Sequence, residues 1–296
     1  MTSITGTVVA RYRRHCLVEG ADASRLSCQI QRRALNPVVG DSVSWRPEAD
    51  GTGTLTAISP RDNELTRIDN RGRPEIVAAN LSQLVIVLAP DPAPDWFLLD
   101  RYLAAAELQG FEAIIAFNKL DRTETLPAEL EVYARLGYVT IPTSAARGDG
   151  LVELSSAMKD KRSAMIGQSG VGKSSLLNAV LGDALQAVGA LSEKSGQGRH
   201  TTSTAVLFAL PGGGELIDSP GVRDYAPYIE EPRTVANGFR EFGDKIPECR
   251  FQDCRHLAEP DCAVKAAVAD EKISARRYAS YERLYELTAS LQADRR

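Results

Sequence analysis

Gly167-Gln168-Ser169-Gly170-Val171-Gly172-Lys173-Ser174 has the spacing of a phosphate-binding loop. It stands between an apolar stretch, Arg162–Ile166, that reads as a strand and a following segment that reads as a helix. That context is what the motif requires, and it makes the middle of the chain an α/β fold with a parallel sheet. The glycines let the backbone wrap a phosphate so that successive N–H groups point inward, and the helix start adds a favourable dipole. Lys173 is placed to neutralise β- and γ-phosphates and the Ser174 hydroxyl to ligate Mg²⁺, with Ser175 completing the nucleotide-binding run.

Working outward, Asn118-Lys119-Leu120-Asp121 follows a second predicted strand, Ala113–Phe117. Asp121 can accept hydrogen bonds from guanine N1–H and the exocyclic amine, while the Lys119 stem can cover the ring; adenine leaves such an acceptor unpaired. Alone, these residues are also an ordinary strand-to-helix turn. Ser144-Ala145, after strand Tyr138–Ile141, offers backbone N–H groups for the guanine O6. Downstream, Asp218-Ser219-Pro220-Gly221 follows the short strand Glu215–Ile217. Asp218 can hold the metal through water and the Gly221 N–H can meet the γ-phosphate, although this tetrapeptide too is common in turns.

The order of these pieces is unusual, because the base-reading residues precede the phosphate loop. A sheet survives such a rearrangement when the old termini are joined and new ones opened in surface loops. The reading is therefore a circularly permuted GTPase domain. In it the strand ending at Asp218 leads into the C-terminal part, so movement near Gly221 would pass to whatever follows Arg223.

The remaining sequence adds two further parts. With 296 residues, 43% hydrophobic and 25% charged, the chain suits several globular domains. Short strands at Thr5–Tyr12, His15–Glu19, Arg25–Gln31, Asp41–Trp45 and Thr54–Ile58 predict a small closed β-barrel of oligonucleotide-binding (OB) type, the alternative being another small barrel with no nucleic-acid role. A polar connector is expected from Arg61 to Pro74. Beyond the middle domain, Cys249-x4-Cys254-x-His256-x5-Cys262 supplies three thiolates and an imidazole, a full tetrahedral set for one structural Zn²⁺. The alternative is buried, unligated cysteines. A helical tail follows at Ile273–Gln292. The expected division is residues 1–66, 67–228 and 229–296. Five cysteines, an odd number, favour a reducing cytoplasm with Cys16 and Cys28 as small core residues. The apolar runs are too short to span a membrane.

Taken together these residues resemble the RsgA (YjeQ) family of ribosome small-subunit-dependent GTPases. The likeness covers essentially the whole chain and includes the barrel, the permuted motifs, Gly198-Arg199-His200-Thr201-Thr202 and the Cys/His cluster. It implies a cytoplasmic, monomeric GTP hydrolase that binds the small (30S) ribosomal subunit and its 16S rRNA late in maturation, is stimulated by it, and uses Mg²⁺ with GTP/GDP. Asp261 departs from the glycine usual in the family, but Asp tolerates left-handed backbone well.

The likeness also implies that Thr201 or Thr202 ligates Mg²⁺, Thr202 being favoured. Val222 stands where many GTPases have a water-orienting glutamine, and valine cannot orient water. His200 is the remaining candidate; the competing reading is an RNA contact or no role. Arg11, Arg13, Arg14, Arg32 and Arg33 in the barrel and Arg276, Arg277 and Arg283 in the tail are candidate phosphate-binding faces, or else solvated charges. The net charge of −4 supplies no global attraction to RNA. Two other functions compete: an RNA-binding assembly module with a purely structural nucleotide, and a P-loop ATPase or kinase, which Asp121 disfavours.

Overall fold

The computed structural model describes residues 4–31, 35–69, 72–182, 205–218 and 227–293. Strands β1 (Ile4–Arg11), β2 (His15–Glu19), β3 (Arg25–Gln29), β4 (Ser42–Pro47) and β5 (Gly53–Ile58) form the N-terminal barrel. Their order is β1-β2-β3-β5-β4, and β4 closes back on β1. Alternate residues point inward, so Val8, Cys16, Val18, Cys28, Val43 and Leu55 fill the interior. Cys16 lies opposite Cys28 in the β2–β3 register, both as free thiols. Burial pushes the two thiols up, to about 12 and about 11, which suits the apolar core role expected of them.

The expected connector after the barrel is instead a hairpin of β6 (Glu64–Ile68) and β7 (Pro74–Ala79). Charged residues mask its alternation, yet Leu65 and Ala78 are fully buried in the central core. The expected break after residue 66 falls inside β6.

The second unit alternates strands and helices: β8 (Gln83–Leu88), α1 (Trp96–Gln109), β9 (Glu112–Phe117), α2 (Glu129–Arg135), β10 (Val139–Pro142), α3 (Leu151–Ala157), β11 (Arg162–Gly167) and α4 (Lys173–Leu181). Strands β12 (Ala205–Ala209) and β13 (Glu215–Asp218) follow. The order β10-β9-β8-β11-β13-β12 is parallel except for antiparallel β12. Every residue of β8 is buried, as a central parallel strand covered on both faces requires. The chain winds outward from β8 to β10 and then returns to β11 on the other side of β8. The switch point therefore lies between β8 and β11, and the crevice at their carboxyl ends is where such sheets bind ligands.

Strand β12 was not expected from the sequence, and it joins the two units. Ala10 and Arg11 of β1 pair with Val206 and Ala205, so the barrel continues the central sheet. Val9 and Leu17 of the barrel pack in one cluster with Leu207 and Ile217.

The C-terminal part consists of short 3₁₀ turns at Pro232–Gly238, Arg240–Phe242 and Ile246–Glu248, then α5 (Ala263–Ala269) and α6 (Ala275–Ala293). It packs against α1. A Cβ on Gly238 would stand 2.8 Å from the backbone of Ala104, so only glycine allows this approach. Beside it Asp100, 1% exposed, accepts from Arg277 (2.7 Å), Arg276 (2.8 Å) and the Tyr133 hydroxyl (2.6 Å). Arg277 donates onward to both oxygens of Glu241. Arg276 and Arg277 therefore do not form the phosphate-binding face considered for the tail; they bind the tail to the central domain. Arg283 is exposed, with its guanidinium 3.9 Å from the Phe97 ring centroid. No described helix is long and apolar enough to cross a membrane.

Candidate nucleotide and metal sites

All the described motif residues gather at the carboxyl edge of the sheet. Gly167 ends β11 and pairs with Val87; Phe117 ends β9 and pairs with Leu88 and Pro142; Asp218 ends β13. Asn118 is the hub. Its side-chain amide donates to the Val171 carbonyl of the phosphate loop at 2.9 Å, and its Oδ1 accepts from the Ala145 N–H at 3.2 Å. One buried side chain thus fixes the spacing between the phosphate loop and the Ser144-Ala145 turn. A Cβ on Gly172 would stand 2.4 Å from that amide nitrogen, and its φ is +94°, so the position admits glycine alone.

Asp121 follows in a short 3₁₀ turn, Leu120–Arg122. The Ser144 hydroxyl donates to its carboxylate at 2.5 Å and the Arg147 N–H donates to the same hydroxyl at 3.2 Å. The Ser144 bond, reinforced by Arg147 and Arg122, holds the Asp121 carboxyl below the usual range. An ionised acceptor fixed in this way suits a base edge that presents two N–H donors.

Lys173 opens α4 and bends back, its ammonium donating to the carbonyls of Gly167 and Gln168, both at 2.7 Å. The charge is thereby held at the mouth of the loop. Ser174 and Ser175 are exposed beside it. A segment not singled out from sequence buttresses the site: the Asp91 carbonyl accepts from the Lys119 ammonium at 2.5 Å, and the Gln168 side-chain oxygen accepts from the Asp95 N–H at 3.1 Å. The Pro90-Asp91-Pro92-Ala93-Pro94 run, rigid and set between β8 and α1, was the available signal. The candidates His200, Thr201, Thr202 and Gly221, with Val222 and the barrel's Arg32 and Arg33, lie outside the described residues.

A separate cluster occupies the C-terminal part. The ligand atoms of Cys249, Cys254, His256 and Cys262 all lie within 4.8 Å of one another. His256 Nδ1 is 3.5 Å from Cys249 Sγ and 3.4 Å from Cys262 Sγ, and those two sulfurs are 3.9 Å apart. A tetrahedron with Zn–S bonds of about 2.3 Å has edges of about 3.8 Å. The donor set and its dimensions fit a four-coordinate metal such as zinc. Tyr278 and Tyr281 donate to the carbonyls of His256 and Arg255 and so fix the loop on α6. Asp261 adopts φ +53°, the left-handed geometry expected of it.

The sequence profile of the family described as RsgA GTPase matches residues 58–227. The chain belongs to the RsgA GTPase family. A protein of Ectopseudomonas mendocina named "Small ribosomal subunit biogenesis GTPase RsgA" is 44% identical over 299 residues, covering 98% of this chain and 86% of its own length. One from Azotobacter vinelandii with the same name is 44% identical, covering 94% and 84%. Among solved structures, YjeQ from Thermotoga maritima is 31% identical with a TM-score of 0.77, covering 97% of this chain and 99% of that one. YloQ, described as a circularly permuted GTPase, is 27% identical with a TM-score of 0.75, covering 98% and 96%. As an RsgA GTPase the chain is a GTP hydrolase with a permuted central domain between an N-terminal barrel and a C-terminal Cys₃His part.

Proposed function

We propose that this protein binds the small ribosomal subunit, assists its late maturation, and hydrolyses GTP to GDP and phosphate with a turnover raised by the subunit. The names of its relatives support the small subunit as partner; in this reading the protein acts in the cytoplasm, as a monomer that contacts 16S rRNA. The observation that carries the nucleotide reading is the Asn118 bridge, which ties the Gly167–Ser174 loop to the Ser144-Ala145 turn, whose Ser144 in turn holds the Asp121 carboxylate.

In this reading Asp121 accepts from the guanine N1–H and amine, Lys119 covers the ring and the Ser144-Ala145 turn meets O6. Backbone N–H groups from Gly167 to Ser174, with Ser175, surround the phosphates, and Lys173 turns from the loop carbonyls to the β/γ-phosphates. Ser174, Asp218 and Thr202 hold Mg²⁺, Gly221 senses the γ-phosphate, and His200 orients the attacking water. Bound Mg²⁺ would supply charge neutralisation between the β- and γ-phosphates. Cys249, Cys254, His256 and Cys262 hold one structural Zn²⁺. Arg13 and Arg14, both exposed in the β1–β2 turn, offer an RNA contact.

The deciding experiment is hydrolysis of GTP and of ATP with and without purified small subunits. The reading expects GTP-selective turnover that rises with subunits. ATP turnover would identify a different P-loop enzyme, and binding without turnover would identify an assembly module.

A further inference from the structure

Gln168, the second residue of the Gly167–Ser174 loop, is engaged at both of its oxygens. Its backbone carbonyl accepts from the Lys173 ammonium at 2.7 Å, and its side-chain oxygen accepts from the Asp95 N–H at 3.1 Å. Asp95 caps α1, its carboxylate accepting from the Leu98 N–H at 3.0 Å. The Gln168 amide oxygen is therefore committed to the scaffold, 73 positions away in sequence, and links the Lys173 ammonium to the first turn of a helix.

Two more contacts tie the connection between β8 and α1 to the site. A Cβ on Gly170 would stand 3.4 Å from Pro92 Cδ, so the proline ring lies against the loop backbone where φ is +84°. The Asp91 carbonyl accepts from the Lys119 ammonium. Pro90, Pro92 and Pro94 fix φ at every second position, so this short connection has little conformational freedom of its own. A binding loop that is already ordered loses less freedom when its ligand arrives and binds more tightly for that reason. The lysine of such a loop reaches the β- and γ-phosphates, so the effect of holding it in place falls on those phosphates and not on the base.

We propose that Gln168 is a positioning residue that fixes the phosphate loop and its lysine to the start of α1, and so sets the preference of the site for guanosine di- and triphosphates over the monophosphate. By reciprocity, a bound diphosphate strengthens the bond between Gln168 and Asp95. The inference rests on the reading of Gly167–Ser174 as the phosphate loop.

The test is competition binding of GDP and GMP to the full chain, in variants whose fold is checked by circular dichroism. Gln168→Met keeps the length of the side chain and removes its amide oxygen. GDP affinity is expected to fall about fivefold, the effect of one ordinary hydrogen bond, and GMP affinity by less than about twofold. Asp95→Pro removes the same bond from its other side, at a φ of −84° that is close to the value proline prefers, whereas Asp95→Ala removes only the capping carboxylate. The loss of GDP affinity should be about fivefold greater for the proline than for the alanine. Unchanged GDP affinity in Gln168→Met, equal losses of GDP and GMP, or equal losses in the two Asp95 variants overturns the proposal. Lys173→Ala in the same assay separates the two readings. If it weakens GDP binding and Gln168→Met does not, the role of Gln168 fails alone; if it leaves GDP binding unchanged, the phosphate-loop reading fails and takes the proposal with it. The unmutated protein provides a measurement independent of folding. The Asp95 amide should exchange at least about threefold more slowly with GDP bound than without it, and equal rates overturn the link.

Discussion

Asn118 donates to the carbonyl of Val171 at 2.9 Å, so the residue that opens the Asn118–Asp121 segment, proposed to read the base, also holds the Gly167–Ser174 loop, proposed to bind the phosphates. In sequence the two are 53 positions apart. Their contact explains why the permuted order costs the site nothing: the motifs meet at the sheet edge whichever comes first along the chain.

Asn118→Ala leaves the Val171 carbonyl and the Ala145 N–H without their partner in a buried place. Each such loss costs about 1–3 kcal/mol. GTP and GDP affinities are expected to fall together by about thirtyfold or more, because base and phosphate subsites lose their common spacer. Calorimetric titration with both nucleotides checks this, and unchanged affinity for either would remove Asn118 from the site.

Ser144→Ala tests how Asp121 is kept ionised. The Ser144 hydroxyl is the main reason its carboxyl titrates below the usual range. The charged form is the one proposed to accept from guanine, so nucleotide affinity is present above the folded pKa and is lost as pH falls through it. Without the serine that pKa returns toward the ordinary value. The acid limb of GTP binding should therefore move to higher pH, with affinity at pH 7 reduced only modestly. Coincident acid limbs for the two proteins would show that Ser144 does not set the charge.

Much of this was legible from sequence because it is local. The glycine spacing of 167–174, the fully buried run of β8 and the dense Cys/His cluster each announce themselves within a short window. What was missed depends on distant partners. The β6–β7 hairpin hides under charges such as Arg61 and Glu64, whose ion pair is visible only once the chain folds. Ala205–Ala209 is a short apolar run whose outer partner lies in the barrel almost two hundred positions earlier. Arg276 and Arg277 look like solvated helix charges, and nothing near them in sequence foretells Asp100.

Asp100→Ala is the sharpest test of that last point. It leaves Arg277, with no exposed side-chain surface, facing Glu241 alone, and it removes the acceptor of Tyr133 and Arg276. Breaking a buried charge set from one side typically costs about 3–5 kcal/mol. The C-terminal part should loosen from α1, seen as faster amide exchange across Pro232–Gly238 and α6, while nucleotide affinity changes little. Unaltered exchange there would mean that apolar packing alone holds the two together.

The metal site makes a separate demand. Protein purified without chelator should contain about one equivalent of Zn²⁺, and Cys254→Ser should lose it. Because metal binding is folding free energy for so small a loop, the variant should melt earlier beyond Gly238 than in the central sheet. Metal analysis that finds no zinc in the unmodified protein would defeat the assignment.

The last prediction joins chemistry to partner. Val222 cannot orient water, so the proposed site depends on His200, and the isolated protein should turn over slowly until a partner completes the constellation. Small subunits should raise the rate by a large factor. His200→Ala should lose most of that stimulated rate while GTP affinity stays nearly intact, the pattern of an interaction made mainly in the transition state. Since the partner is proposed to meet Arg13 and Arg14, replacing both with alanine should weaken subunit binding and reduce its salt dependence, each lost phosphate contact lowering the salt slope by about 0.9 on duplex or 0.7 on single-stranded sites. Steady-state hydrolysis and sedimentation with subunits at several salt concentrations measure both effects. Equal turnover with and without subunits would refute the regulatory reading, whereas a fully active His200→Ala protein would exclude the histidine and leave the GTPase itself standing.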